Sequence, residues 1–211
     1  QISYNDLDVN ILNSSNVLIH LAGKAHDTKK ILNYSEYYDV NTDLTVKLFD
    51  MFLNSTCTIF IFMSSVKSIA DDVCGVLTEA DLANPQTHYG KSKLLAEKYI
   101  LSKKIPKNKK VYILRPCMIH GPDNKGNLNL LYKLVSRNIP WPLGLFENKR
   151  SYCSVENLSF VIKELIDNNE IPSGIYNVSD DYPLSTNDLI HLIADSQNKY
   201  IQIFNVPKII V

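Results

Sequence analysis

Glycine is scarce in this chain, with seven in 211 residues and the first at Gly23. No glycine-rich turn precedes Val17, so no backbone there is built to close around a phosphate. Four cysteines (Cys57, Cys74, Cys117, Cys153) are widely spread and show no paired spacing. Neither a disulfide framework nor a zinc site is expected, and reduced cytosolic thiols are the default. The five histidines do not cluster at ligand spacing, so no metal is expected. Charge of one sign is also missing: Lys+Arg and Asp+Glu are both 22. That argues against a general nucleic-acid binder, which needs a positive surplus. The densest basic run, Lys103 to Lys110, reads as a solvated turn between a helix and a strand. No apolar run approaches the ~20 residues that cross a bilayer. Gln1 to Asp6 has no basic segment followed by an apolar one, so it is not a signal peptide. Internal repeats and low-complexity segments are absent.

What remains is an ordinary globular composition, 45% hydrophobic and 21% charged. Asn16 to Gly23 opens with an apolar run without alternation, which suits a parallel strand buried on both faces. Its Ala22-Gly23 ending lets backbone approach a neighbour closely. Asp39 to Leu53 predicts a helix, from Val40, Leu44, Leu48, Met51 and Phe52. Thr58 to Met63 is a second apolar strand, ended by Ser64-Ser65. Strand, helix, strand at this spacing is a βαβ unit, hence a parallel sheet. Residues just past such strand ends line the ligand crevice, which places Gly23, Ser64 and Ser65 there. The long loop from Val66 to Gln86 is expected to be functional or mobile. A helix follows to about Lys103, then a strand from Lys110 to Arg115 stopped by Pro116, then turn chemistry at His120 to Asn124. Further on, helices are expected over 126–137, 155–167 and from a capping box at Ser185 to Asp188 up to about Ser196. Strands are expected at Gly174 to Val178 and, last, at Tyr200 to Phe204, with an irregular loop over 139–144.

The helix after the long loop carries Tyr89 and Lys93, four apart and therefore one turn apart on one face. An ammonium favours the phenolate. Two unit charges ~5 Å apart at an effective dielectric of ~20 interact by roughly 3 kcal/mol, about two pKa units. Lys93 is thus expected to lower the Tyr89 pKa and make it a usable general base. Such a pair also occurs by chance on many helices. Ser65 at the crevice decides between the two. Its hydroxyl could hold a substrate oxygen while Tyr89 moves a proton to or from that oxygen and Lys93 also holds a sugar hydroxyl. Taking a proton from a carbinol goes with hydride leaving the same carbon. No side chain accepts hydride, so a nicotinamide cofactor is implied.

His20-Leu21-Ala22-Gly23, Ser64-Ser65-Val66-Lys67, Tyr89-Gly90-Lys91-Ser92-Lys93, Arg115-Pro116, His120-Gly121-Pro122 and Arg150-Ser151-Tyr152 occur in order along nearly the whole chain. By this set the chain resembles the extended short-chain dehydrogenase/reductase family, in its nucleotide-sugar epimerase/dehydratase branch. With Pro140 to Gly144 added, it is most similar to bacterial sugar 4-epimerases and 4-ketoreductases of surface-polysaccharide synthesis. The resemblance implies an α/β fold, a Rossmann-like doubly wound parallel sheet with a small C-terminal substrate-binding region. Residues 1–116 would be the remainder of the dinucleotide-binding domain with the catalytic residues. Residues 117–211 would be mainly a substrate-binding subdomain, with returns to the sheet near 155–180. It implies Ser65, Tyr89 and Lys93 as catalytic residues, Ser65 orienting the sugar oxygen at carbon 4. Leu21, Ala22, Gly23, Asn41, Ser64, Tyr89, Lys93 and Pro116 would bind the cofactor. Asn127 and Arg150 would contact the substrate diphosphate, and a guanidinium suits phosphate oxygens.

The implied activity is a cytoplasmic NAD-dependent epimerase acting at carbon 4 of a UDP-sugar, with NADP as the open alternative cofactor. A one-way 4-ketoreductase is the second enzymatic reading, and a non-catalytic cofactor sensor or scaffold a third of another class. Oligomeric state stays open, dimers being common in the family. Dehydratases of the family carry an Asp-Glu pair where this chain has Ser65-Val66, so dehydration is not expected. The family opens on a strand, a glycine-rich turn and a helix. Their absence here reads as a fragment lacking about the first three strands and some C-terminal residues, with the cofactor's adenosine side missing and an exposed sheet edge.

Overall fold

A computed structural model of the chain describes residues 8–25, 33–122 and 127–205. They fall into two compact units, Gln1–Cys117 with Ser159–Val178, and Met118–Leu158 with Ser179–Val211. The first unit holds a four-stranded sheet of β1 (Val17–His20), β2 (Ile59–Met63), β3 (Lys110–Pro116) and β6 (Gly174–Val178), in the order β1-β2-β3-β6. All three pairings are parallel, with Ile59 opposite both Val17 and Lys110, and Leu114 opposite both Met63 and Tyr176. This is the expected α/β, Rossmann-like parallel sheet. The apolar runs without alternation form its centre: Phe60, Ile61 and Phe62 are fully buried, as are Tyr112 and Leu114. Period-two geometry sends Phe60 and Phe62 to one face and Ile61 to the other.

Helices supply the core on the Phe60 face. A continuous helical stretch over 35–53 consists of α2 (Ser35–Tyr38), a π-helical turn (Asp39–Asp43) and α3 (Leu44–Leu53). It begins four residues ahead of the sequence expectation. Leu48, Phe49 and Phe52 of α3 pack with Phe60, Phe62, Val111, Ile113 and with Ala96 and Ile100 of α4 (His88–Ser102). A short α1 (Val9–Leu12), capped by Asp8, adds Leu12 to the same cluster.

The basic run departs from its expectation. Lys109 is buried rather than solvated, and its Nζ donates to the carbonyls of Phe52 (2.9 Å), Ser55 (2.8 Å) and Cys57 (2.5 Å). It gathers carbonyls at and just beyond the end of α3, where a cation also suits the helix dipole.

The second unit contains a parallel pair, β4 (Met118–His120) with β5 (Tyr152–Ser154), which the sequence reading missed; His120 had been read as turn chemistry. Helix α5 spans Asn127–Ser136 and α7 Thr186–Ser196, while α6 (Val155–Asp167) belongs to the first unit from Ser159 onward. The expected capping box is present: the Ser185 hydroxyl accepts from the Asp188 backbone N–H at 3.0 Å, and the Asp188 carboxylate accepts from the Ser185 N–H at 2.9 Å. The expected strand at Tyr200 to Phe204 is instead two isolated bridges, Trp141 with Ile203 and Leu143 with Asn205. Trp141 donates its N–H to the Gln202 carbonyl at 2.8 Å and accepts from the Phe204 N–H at 2.7 Å.

Candidate active site

The C-terminal ends of β1, β2 and β3 are bordered by the start of α4. At the end of β1 the backbone turns through Leu21, Ala22 and Gly23, with Leu21 exposed. Asn41, fully buried in the π-helical turn, holds this loop: its Oδ1 accepts from the Lys24 N–H at 2.7 Å and its Nδ2 donates to the Lys24 carbonyl at 3.0 Å. Nδ2 also donates to the Ser92 hydroxyl of α4 at 2.9 Å. A π turn widens the helix by one residue, which lets one side chain leave the usual register, and such turns recur at functional sites. Gly23 leaves room for two side chains here. A Cβ on it would stand 3.0 Å from the Lys93 Nζ and 3.3 Å from the Asn41 Oδ1.

Lys93 is 3% exposed. Its Nζ donates to the Met63 carbonyl at the end of β2 at 2.7 Å and lies 4.9 Å from the centre of the Phe62 ring. Burial lowers its pKa to about 8, against which the nearby Glu97 charge acts. His20, stacked on Phe62, is held neutral by burial and then by the Lys93 charge, its pKa near 4.

Ser65 caps a short 3-10 turn (Val66–Ser68), accepting from the Lys67 N–H at 3.2 Å. Its hydroxyl also acts on the Tyr89 phenol, in the direction that lowers the phenol's pKa. Gly90 makes this approach feasible, because a Cβ there would meet the Lys67 carbonyl oxygen and stand 2.8 Å from the Pro85 Cβ. Thr87 caps α4 through the Gly90 N–H at 3.2 Å. The Tyr89 pKa is a correction to the sequence expectation. Burial of the phenol raises it, outweighing the Ser65 hydroxyl, and Tyr37 acts in the same direction. Lys93 does not pull it down, because the ammonium is directed at the Met63 carbonyl and the Phe62 ring.

The remaining crevice residues act through backbone or from beneath. Ser64 is 3% exposed, and its hydroxyl donates to the Glu97 carboxylate rather than into the crevice. Pro116 is buried at the end of β3, opposite Val178. The long loop is tied down rather than loose: the Asp71 carboxylate accepts from the Gln86 N–H at 2.8 Å, from the Thr87 N–H and hydroxyl at 3.3 Å, and from the Lys67 Nζ at 3.3 Å. Sequence reasoning missed Glu97, Ser68, Gly90 and Asp71. Glu97 alone left a signal, at four residues beyond Lys93 on the same helix face.

In the second unit, Arg150 forms a backbone bridge with Leu184, both N–H to carbonyl distances being 3.0 Å, and its side chain is exposed. Residue 127 begins α5, and the Asn127 side chain lies outside the described residues. His120 and Asp180 pair at 3.3 Å, and Asp180 also accepts from the Ser154 N–H and from the Asn157 side chain. Among the described residues there is no His, Cys, Asp and Glu group able to hold a metal, and no helix long and apolar enough to cross a membrane.

A Rossmann-like parallel sheet with a serine, a tyrosine and a lysine at its strand ends defines a short-chain dehydrogenase/reductase. The chain belongs to the extended family of these proteins, in its NAD-dependent nucleotide-sugar epimerase branch. The family model that matches, over residues 3–202, is described as the 3-beta hydroxysteroid dehydrogenase/isomerase family. The UDP-glucose 4-epimerase of Vibrio cholerae is 34% identical over 194 residues, which are 89% of this chain and 59% of that protein. The N-acetyl-alpha-D-glucosaminyl-diphospho-ditrans,octacis-undecaprenol 4-epimerase of Escherichia coli O157:H7 is 31% identical over 179 residues, 82% of this chain and 53% of that protein. The chain therefore spans between half and three fifths of these relatives' length. Among solved structures, a Bacillus cereus UDP-glucuronic acid 4-epimerase in complex with UDP-glucuronic acid and NAD superposes with a TM-score of 0.78 at 20% identity, over 98% of this chain and 68% of that one. That likeness is one of fold.

Proposed function

We propose that this chain carries the proton-transfer site of an NAD-dependent epimerase acting at carbon 4 of a UDP-sugar. The observation that carries the reading is that the Ser65 hydroxyl at the strand end acts on the Tyr89 phenol, with Lys93 one turn further along the same helix. The residues there suit the nicotinamide riboside end of a dinucleotide. The Gly23 backbone is exposed and lacks a Cβ just where Lys93 approaches, so a ribose diol has both a cation and open backbone to meet. Lys93, Gly23 with its Leu21-Ala22 approach, Pro116 and the loop held by Asn41 would hold that end. When bound, the nicotinamide supplies the hydride acceptor and donor that side chains lack.

The chain's own part is the proton. Ser65 holds the 4-oxygen of the sugar. Tyr89 gives its phenol proton to that oxygen when it is a ketone, becoming the phenolate, and as the phenolate takes a proton when it is an alcohol. Asn127 and Arg150 would hold the diphosphate; the exposed guanidinium of Arg150 supports this. Cytoplasmic residence is part of the same reading and agrees with four free cysteines.

The test is turnover of the natural full-length protein with UDP-sugars, followed both by product and by absorbance of reduced nicotinamide. The expected outcome is interconversion of the 4-epimers with no net change in reduced cofactor. Loss of one reduced cofactor per product would replace the epimerase by a 4-ketoreductase. Tyr89→Phe is expected to lower kcat by ~10³. Unchanged turnover in that variant would end the catalytic assignment and leave the non-catalytic reading.

A further inference from the structure

A buried acid lies beneath Ser65 and has no part in the chemistry above. Glu97 sits one turn beyond Lys93 on α4 and is 1% exposed. Its Oε1 accepts from the Ser64 hydroxyl and, at 2.7 Å, from the Ser68 hydroxyl. Arg115, at the end of β3 and 4% exposed, donates to the same carboxylate from Nε at 3.1 and 3.2 Å and from Nη2 at 2.6 Å. Ser64 and Ser68 are the two ends of the turn that carries Ser65. One carboxylate on α4 thus grips both sides of the serine, while Tyr89 and Lys93 stand on that same helix.

Stability alone does not account for the arrangement. Two charges are taken out of water, and an apolar pair of similar volume commonly serves the fold as well or better. The cluster is also incompletely satisfied, since the buried Arg115 Nη1 has no hydrogen-bond partner among the described residues. Unsatisfied polar groups of this kind persist where geometry is under functional constraint. We propose that Glu97 is a positioning residue, which clamps the Ser64–Ser68 turn to α4 and so holds the Ser65 hydroxyl at Tyr89, with Arg115 as its counter-charge. The proposal rests on the reading of Ser65 and Tyr89 as the reacting centre.

The test uses the natural full-length protein with a UDP-sugar substrate, recording kcat, KM and the thermal midpoint. Ser68→Ala removes one grip and leaves the ion pair. The double variant Glu97→Met with Arg115→Leu removes both charges and both grips. Tyr89→Phe is measured beside them. A small displacement of a reacting group costs as much as ~100-fold in rate. Ser68→Ala is expected to lower kcat about tenfold and the double variant about 100-fold, KM staying within about threefold in each. The midpoint of Ser68→Ala is expected to move by no more than about 5 °C. A folded Ser68→Ala with wild-type kcat, beside an inactive Tyr89→Phe, overturns the positioning role and leaves the catalytic reading intact. Full turnover in Tyr89→Phe overturns the catalytic reading itself. If the double variant does not fold, Ser68→Ala still decides.

Discussion

The protonation state of Lys93 is set by burial against the pull of one acid. Burial brings its pKa down to about 8, and the Glu97 charge works the other way. A lysine with a lowered folded-state pKa is charged below that value and neutral above it. If the Lys93 ammonium holds the cofactor ribose, kcat/KM falls on the alkaline side, through about pH 8. A profile measured from pH 6 to 10 checks this, and one that stays flat to pH 9.5 contradicts it. The linkage to stability has the opposite slope. Between about 8 and the ordinary lysine value of 10.5 the folded chain holds fewer protons at this site than the unfolded chain. Its contribution to stability therefore rises with pH across that window. The Tyr89–Lys93 pair itself was legible in the sequence, because four-residue spacing on a helix is a local rule. The direction of the tyrosine shift was not legible. It depends on how deeply the phenol is buried and on what the ammonium faces, and both come from Phe62 and Met63 on another element.

At the scale of elements, the junction between the Val66–Ser68 turn and the start of α4 sets how near Ser65 comes to Tyr89. Gly90 is the contact. Alanine is the better helix former by ~1 kcal/mol, so in an open helix Gly90→Ala would stabilise. Here the added carbon meets the Lys67 carbonyl and the Pro85 ring. Backbone cannot yield as a flexible side chain does, and overpacking of this kind costs ~1–3 kcal/mol. Urea unfolding of Gly90→Ala is expected to show a net loss of stability and a lower midpoint with an unchanged slope. A gain would show that the turn moves freely, and the tight junction would be wrong. The large elements were legible because their signals are local: apolar runs for β2 and β3, helical spacing for α3, α6 and the box that opens α7. The three-residue strands β4 and β5 were not, since each is made by pairing with a distant partner. Nor was the role of Lys109, whose three carbonyl partners lie more than fifty residues away.

For the whole molecule, the parallel sheet and the crevice at its strand ends were readable from the order of strand, helix and strand. Residues 159–178 belong to the first unit, after the second has begun at Met118. What these 211 residues hold of a cofactor site follows from the same layout. No glycine-rich turn stands ahead of β1, and β1 is the outer strand of the described sheet, with Leu21 61% and Ile19 37% exposed. Pyrophosphate binding in such folds rests on backbone N–H groups at a helix N-terminus behind a glycine turn. The groups proposed here for the cofactor, Lys93, Gly23, Pro116 and the Asn41-held loop, all serve the nicotinamide end. With no holder for the adenosine and pyrophosphate proposed among the described residues, that half of the dinucleotide is expected to contribute little binding energy to this chain. Calorimetric titration of the 211-residue polypeptide is therefore expected to give an NAD Kd weaker than about 100 μM. Nicotinamide mononucleotide, which lacks the adenosine half, is expected to bind within about threefold of NAD, a difference of less than ~1 kcal/mol. Submicromolar NAD binding, or a preference for NAD over the mononucleotide greater than about tenfold, would mean that these residues do hold the adenosine side.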